Sequence, residues 1–316
     1  MLFAYKIITQ SYFLSIKIAS LFNKKAKFMI QGRKKWREEL KSKIDKKSKY
    51  IWFHCASLGE FEQGRPLLEK IKTEKPQYKI ILSFFSPSGY QARKDYQFAD
   101  IVCYLPFDSA QNAKEFIEIT NPSLVIFVKY EIWYYFLERL NKNKIPTYLI
   151  SAIFRPNQVF FKFYGKTYRK ALGFFDKIFL QTEESQNLLK KYNFNNTLVC
   201  GDTRIDRVVD IAKEDYNNPI FKKFCKDKTC FVFGSTWEAD EKLISNFINT
   251  SAKEYVFIIA PHEITEGKLR NIEQNFKIES QRLSKIEKLN PSTRLIIIDS
   301  IGLLSKLYRY AIIAYV

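Results

Sequence analysis

Short apolar runs alternate with amphipathic stretches along most of the chain. The runs Ile51–Ala56, Ile80–Phe85, Ile101–Leu105, Leu124–Val128, Pro146–Ser151, Lys177–Leu180 and Leu198–Cys200 are brief and nearly continuous in apolar character, which predicts buried strands. Between them, Leu67–Glu74, Ala110–Ile119, Ile132–Asn141, Phe161–Leu172 and Glu184–Tyr192 carry apolar residues at helical spacing. Buried strands separated by helices define βαβ units and a parallel sheet covered on both faces. The polar stretch Gly201–Phe221 breaks the rhythm and reads as an interdomain connection. A second alternation follows, with strands Cys230–Gly234, Tyr255–Ala260, Arg294–Asp299 and Ala311–Val316 and helices Glu238–Asn249, Glu266–Asn275 and Leu303–Arg309. The expected organisation is a segment over 1–49, a Rossmann-like domain over 50–200, a linker over 201–221 and a second Rossmann-like domain over 222–316. Two such domains with a cleft between them suit an enzyme that joins two substrates. The second is short for a doubly wound domain, and the chain stops inside an apolar run, so that domain is expected to be truncated.

The first 49 residues change this picture. Residues 1–22 carry only Lys6 and Lys17 as charges among many apolar positions. The uncharged window Ile7–Ile16 is shorter than the roughly 20 apolar residues a spanning helix needs. No basic leader with a small-residue cleavage site is evident. Residues 23–49 then hold 12 basic and 3 acidic residues, almost half of the chain's net charge of +19. An interfacial amphipathic helix followed by a polybasic segment gives two signals for an anionic membrane surface. A buried N-terminal helix with a solvated basic face is the other reading. No recognition motif accompanies the charge, so nucleic acid is not an expected partner. The five cysteines form no C-x-x-C pair, and their odd number beside apolar runs suggests reduced thiols. Neither His54 nor His262 stands in a zinc-binding pattern, so no metal and no cofactor is expected.

Chemistry in open α/β sheets gathers outside the carboxyl ends of the strands. The first such turn follows Tyr50–Phe53 and holds one carboxylate, Glu60, before a helix that Pro66 helps to start. Locally, Glu60 reads either as an acid stabilised by a helix dipole or as a catalytic group. A helix N-terminus would lower its pKa, whereas burial would raise it. At Ser86-Pro-Ser-Gly89, Ser86 is a good N-cap and Pro87 a good first helical residue. The free N–H groups of such a turn could meet an anion.

Taken in order, the turns are Ser57-Leu-Gly-Glu60, Ser86-Pro-Ser-Gly89, Tyr104-Leu-Pro-Phe-Asp108 and Tyr130-Glu-Ile-Trp133, then Gly201-Asp-Thr-Arg-Ile-Asp206, Gly234-Ser-Thr-Trp-Glu238 and Ala260-Pro-His262. In this order and spacing the set closely resembles the Kdo transferases, over essentially the whole chain. These glycosyltransferases move 3-deoxy-D-manno-octulosonic acid (Kdo) from CMP-Kdo onto the lipid A precursor. The resemblance implies an α/β fold of GT-B type with two facing Rossmann-like domains, the C-terminal one truncated here. It implies a lipid acceptor on the first domain, a CMP-sugar on the second, and a site of action on the cytoplasmic face of the inner membrane of a Gram-negative bacterium.

The same resemblance assigns roles. Glu60 would be the base that takes the proton from the attacking sugar hydroxyl, with inversion in one displacement. Ser57, Gly59, Ser86, Ser88, Gly89, Lys129 and Glu131 would line the acceptor side. Glu131 matches the second acid of the family's E-[ST]-E-[LI]-W-P motif. Lys129 replaces the first acid and Tyr134 the proline, which would put a cation near the acceptor phosphates. The arginine often found at position 153 is Ile153 here, with Arg155 two residues on. Ser235, Thr236, Pro261 and His262 would contact the donor, in turns like G-S-x-x-x-G-E and A-P-R-H, the latter without its arginine. The family continues past a strand like Ala311–Val316 into a Gly-rich loop and an Asn-x-x-Glu motif that holds the nucleotide. Neither stands in these 316 residues, so little transferase activity is expected of them alone. The alternatives are another GT-B nucleotide-sugar enzyme and a catalytically silent, membrane-bound lipid-binding module.

Overall fold

The computed structural model describes residues 2–316, which form two compact units, Met1–Asp206 and Arg207–Val316. The first contains α1 (Leu2–Ala19), α2 (Lys24–Gln31), α3 (Trp36–Lys43), β1 (Lys49–Cys55), α4 (Leu58–Glu74), β2 (Tyr78–Phe84), α5 (Pro87–Arg93), β3 (Ile101–Tyr104), α6 (Ala110–Thr120), β4 (Pro122–Val128), α7 (Tyr134–Lys142), β5 (Thr147–Ala152), α8 (Lys166–Leu172), β6 (Lys177–Leu180), α9 (Glu183–Lys190) and β7 (Thr197–Val199). Next comes α10 (Thr203–Lys213), which begins in the first unit and ends in the second. The second unit continues with α11 (Pro219–Cys225), β8 (Thr229–Thr236), α12 (Glu238–Thr250), β9 (Tyr255–Pro261), α13 (Glu266–Asn275), β10 (Ser280–Arg282), β11 (Leu295–Ile297), α14 (Leu304–Leu307) and β12 (Ile313–Tyr315).

All seven strands of the first sheet are parallel, in the order β3-β2-β1-β4-β5-β6-β7. The order reverses between β1 and β4, which makes the crevice beyond their carboxyl ends the expected binding place. Both faces of the sheet are packed. Trp52 and Phe53 are neighbours on β1 and are both fully buried, one in each of the two cores that flank the sheet. In the second sheet the order is β10-β11-β9-β8-β12, again all parallel, and it reverses between β8 and β12.

Three segments depart from the expectations above. Helix α4 starts at Leu58, well before Pro66, because Ser57 and Glu60 form a reciprocal capping box. Pro66 therefore lies inside the helix and costs it one backbone hydrogen bond. The segment 201–221 is not a plain connection, since most of it is helical in α10 and the start of α11. Residues 1–49 are not simply an appendage either. Tyr5, Ile16, Trp36 and Leu40 are buried, and the polybasic stretch spends Arg33 internally. Its guanidinium donates to the carbonyls of Phe85 at 2.6 Å, Leu105 at 2.7 Å and Met29 at 2.9 Å. Burial lowers Arg33 to about 10.

Helix α1 is thus two-sided. Tyr5 and Ile16 face the body, whereas Phe3, Ile7, Leu14 and Ile18 recur at helical spacing on an exposed stripe. None of the described helices is long and apolar enough to cross a membrane. The tie is specific. Tyr5 donates its hydroxyl hydrogen to Asp108 at 2.6 Å, and Asp108 also accepts the backbone N–H of Tyr135 and Phe136, both at 3.3 Å. Asp108 therefore caps α7, whose own N-cap, Trp133, makes no side-chain cap bond. Burial pushes the Asp108 carboxyl up to about 6. Substituting Tyr5→Phe should lower the unfolding free energy by about 1.5–3 kcal/mol in urea titration, the usual worth of a hydrogen bond to a charged partner. It should also expose α1 to limited proteolysis.

Candidate active site

The site forms where β1 and β4 end side by side. After Cys55 the chain turns through Ser57 into α4, and after Val128 it turns through Lys129 and Glu131 into α7. Ser57 accepts the Glu60 backbone N–H at 3.4 Å, and the Glu60 carboxylate accepts the Ser57 backbone N–H at 2.8 Å. Glu60 is therefore a helix cap and half-buried at the same time. Burial raises its pKa most, and the Glu131 carboxylate raises it further; the bonds to Ser57 and the nearby His54 ring pull the other way. The opposition between helix cap and burial is resolved in favour of burial. A carboxyl raised in this way is better matched to taking up a proton near neutral pH.

Glu131 is buried, and its Oε2 accepts the Trp133 Nε1–H at 2.7 Å and lies 3.2 Å from His54 Nε2. His54 is fully buried on β1, and its Nδ1 lies 2.8 Å from the Ser83 hydroxyl on β2. Ser83 in turn accepts the Trp52 indole N–H at 2.7 Å. His54, Ser83 and Trp133 join this cluster and were not among the candidate site residues, although Trp133 stands in a quoted turn and His54 was weighed only as a metal ligand. The available signal was a polar histidine inside an otherwise apolar strand.

The second turn is tied to the first. The Ser86 backbone N–H donates to the Ala56 carbonyl at 2.7 Å, and Ser86 caps α5 through the Gly89 N–H at 3.1 Å. Gly89 has no room for a Cβ, which would lie 2.7 Å from the Phe84 ring and 3.2 Å from the Leu58 nitrogen. This close approach keeps the starts of α4 and α5 together. Ser88 is exposed, its Oγ 3.3 Å from that of Ser86, and Gly59 is exposed at the lip. Lys129 leaves β4 with a left-handed φ of 70° and lays its ammonium 5.4 Å from the Tyr130 ring centroid. Such strained non-glycine backbone is common at functional turns. Ser57, Gly59, Glu60, Ser86, Ser88, Gly89, Lys129 and Glu131 thus all fall on three adjacent strand ends of one sheet. Arg155 is exposed.

In the second unit, Ser235 sits at the end of β8 with a left-handed φ of 54° and is exposed. Thr236 is fully buried and donates its hydroxyl hydrogen to Glu241 at 3.0 Å, so its side chain is committed internally. Pro261 ends β9 and is buried. His262 is exposed, stacks on Trp237 with ring centroids 4.2 Å apart, and donates its backbone N–H to Thr236 at 2.9 Å. Ser235 and the Trp237–His262 pair are exposed at this edge, with the exposed acids Glu238 and Glu263 next to them in the chain. Among the described residues no cluster of His, Cys, Asp and Glu could hold a metal ion.

Two Rossmann-like units, each built on a parallel sheet, define an α/β protein of GT-B type. Solved structures agree on the fold. UDP-GlcNAc 2-epimerase from Neisseria meningitidis matches with a TM-score of 0.55 at 15% identity, over 83% of this chain and 74% of that one. The UDP-GlcNAc 2-epimerase of Methanocaldococcus jannaschii matches at 0.54 and 14%, over 84% and 77%. At such identities the likeness shows the fold alone. A family model described as 3-deoxy-D-manno-octulosonic-acid transferase (kdotransferase) matches residues 34–207, and the chain belongs to that family.

Individual relatives agree. A bifunctional glycosyltransferase/methyltransferase from Fusobacterium nucleatum is 26% identical over 86% of this chain. The 3-deoxy-D-manno-octulosonic acid transferases of Aquifex aeolicus and Haemophilus influenzae are 26% and 23% identical, each over 84% of it. The chain spans 44%, 68% and 64% of these three relatives.

The raised Glu60 carboxyl has a measurable consequence. A carboxyl whose native pKa lies above its unfolded one binds protons more readily when folded, so ionising it costs stability as pH rises through that window. Glu60→Gln removes this cost and keeps an acceptor for the Ser57 N–H. The variant's stability relative to the parent should grow from pH 4 to pH 8 in urea denaturation, and a constant difference would contradict the burial-driven shift.

Proposed function

We propose that this protein is an inverting glycosyltransferase that moves Kdo from CMP-Kdo to the lipid A precursor in lipopolysaccharide synthesis. The observation that carries the reading is the half-buried Glu60, raised by burial and by Glu131 at the switch point of the first unit. Glu60 takes the proton from the acceptor hydroxyl as that oxygen attacks the anomeric carbon of Kdo. CMP leaves from the opposite face, which gives inversion without a covalent intermediate. The free N–H groups at the start of α5 and the Lys129 ammonium offer positive charge to the acceptor's phosphates. Ser235, Pro261 and His262 border the donor, with Thr236 shaping the turn from inside.

The exposed stripe on α1 and the exposed lysines 24, 25, 27, 34 and 35 support docking on the anionic cytoplasmic face of the inner membrane. A lipid acceptor held there would present its headgroup sugar to a surface-bound enzyme.

Three measurements test this reading. In a chain that carries the Asn-x-x-Glu nucleotide motif as well, assayed with CMP-Kdo and lipid A precursor, Glu60→Gln should lower turnover by about 10²–10⁴-fold, the usual contribution of a positioned base. Equal turnover by the variant would remove Glu60 from that role. Calorimetric titration of the same longer chain should show binding of CMP and none of UDP; the reverse would favour another GT-B nucleotide-sugar enzyme. Ile7→Asp with Leu14→Asp should abolish flotation with vesicles rich in anionic lipid, and undiminished flotation would exclude α1 as the docking element.

A further inference from the structure

We propose that His54 is a positioning residue: braced by Ser83 and Trp52, it donates its Nε2–H to Glu131 and so holds that carboxylate in place beside Glu60. The inference rests on the reading of Glu60 and Glu131 as the site.

The geometry assigns the hydrogens. Trp52 and His54 are two positions apart on β1 and project to the same face, where both meet Ser83 of β2. The indole is a donor only, so Ser83 Oγ must accept from it. The one hydroxyl hydrogen of Ser83 then has two possible acceptors, His54 Nδ1 at 2.8 Å and the Phe53 carbonyl at 3.4 Å. The shorter contact takes it. Nδ1 is therefore the acceptor, and the ring hydrogen stands on Nε2, pointing at Glu131 Oε2 3.2 Å away. The same oxygen accepts the Trp133 indole hydrogen at 2.7 Å. Two donors, one on β1 and one in the turn after β4, fix one carboxylate oxygen.

The charged and titratable groups around this carboxylate come from two elements. Glu60 comes from α4, and His54 and Cys55 from β1. The buried Cys55 thiol is pushed well up by burial and by both carboxylates. With no donor from His54, the carboxylate at position 131 would keep only the Trp133 indole hydrogen and lose its fixed place, and its repulsion of Glu60 would fade. His54 thus acts on Glu60 by holding Glu131 in place, without touching the substrate, whereas a charge on the ring itself would pull Glu60 the other way.

Nuclear magnetic resonance tests this without turnover, so a failed transferase assay and a failed relay remain distinguishable. The chain has only two histidines, so His54 signals are identified by comparison with one variant. Long-range ¹⁵N–¹H spectra should show His54 as the Nε2–H tautomer. A ring protonated on Nδ1, or on both nitrogens, would overturn the proposal. The Glu60 titration midpoint, read from side-chain ¹³C shifts, should fall by up to about one pH unit in Glu131→Gln, the range expected for losing one nearby like charge. His54→Phe should lower it in the same direction, and the double variant no further than Glu131→Gln alone. His54→Gln, which keeps an N–H near Nε2, should hold the parental midpoint. A rise or no change in His54→Phe would overturn the relay, because a rise means the ring acts on Glu60 directly as a cation. If His54→Phe does not fold, Ser83→Ala decides instead. It keeps the imidazole and should mix its tautomers, and an unaltered Nε2–H pattern would refute the bracing by Ser83.

Discussion

Strand β1 is hydrogen-bonded on both sides, to β2 and to β4, and the site depends on that double pairing. The register sets His54 opposite Ser83 on one side and opposite Phe127 on the other. It also brings the turn that carries Glu60 next to the turn that carries Glu131. Side chains alternate faces along a strand, so a slip of one residue would move Trp52 and His54 away from Ser83 together. The core enforces the register from both faces. Trp52 packs among Phe116, Phe127 and Phe136, while Phe53 belongs to the opposite layer. Chemistry and packing are therefore specified by the same seven residues of β1.

Glu60 has two duties that pull against each other. As the third residue of a capping box it lowers the energy of α4, and as a half-buried acid beside Glu131 it raises its own. The structure tolerates the conflict because the cap needs only an acceptor, which a carboxylate provides in either protonation state. The close packing around it leaves little freedom to relax. A Cβ on Gly64 would lie 2.9 Å from Val128, and one on Gly89 would lie 3.2 Å from the Leu58 nitrogen at the start of α4. Helix α4 is thus pressed onto β4 at the level of the site, which keeps the two carboxylates within each other's field.

The strands were legible because parallel strands buried on both faces leave continuous apolar runs. Polar elements were not. Strand β10, Ser280–Arg282, has no apolar signal; Arg282, buried and paired with Glu266 and Glu273, supports it instead. The start of α4 was legible in principle, as Ser57-x-x-Glu60 is a capping-box pattern, but Pro66 drew the boundary eastward along the chain toward itself. Candidate acids and small residues of the first unit were found by the order of their turns, and the fold brings them to one edge. The bracing of Glu131 was hidden, since His54 meets partners 29 and 77 positions away. The buried state of Thr236 was hidden for a different reason, because its nearby partner Glu241 looks like a surface acid in the sequence.

Asp108 joins two things that need not have been joined, the inward face of α1 and the first turn of α7. The apolar stripe of α1 is consequently carried in a fixed attitude, like a keel rather than a tether. Any surface that takes up the stripe receives the first unit at one tilt and one height. The distance from that surface to the mouth of the Glu60 turn is then a property of the fold, set before any ligand arrives.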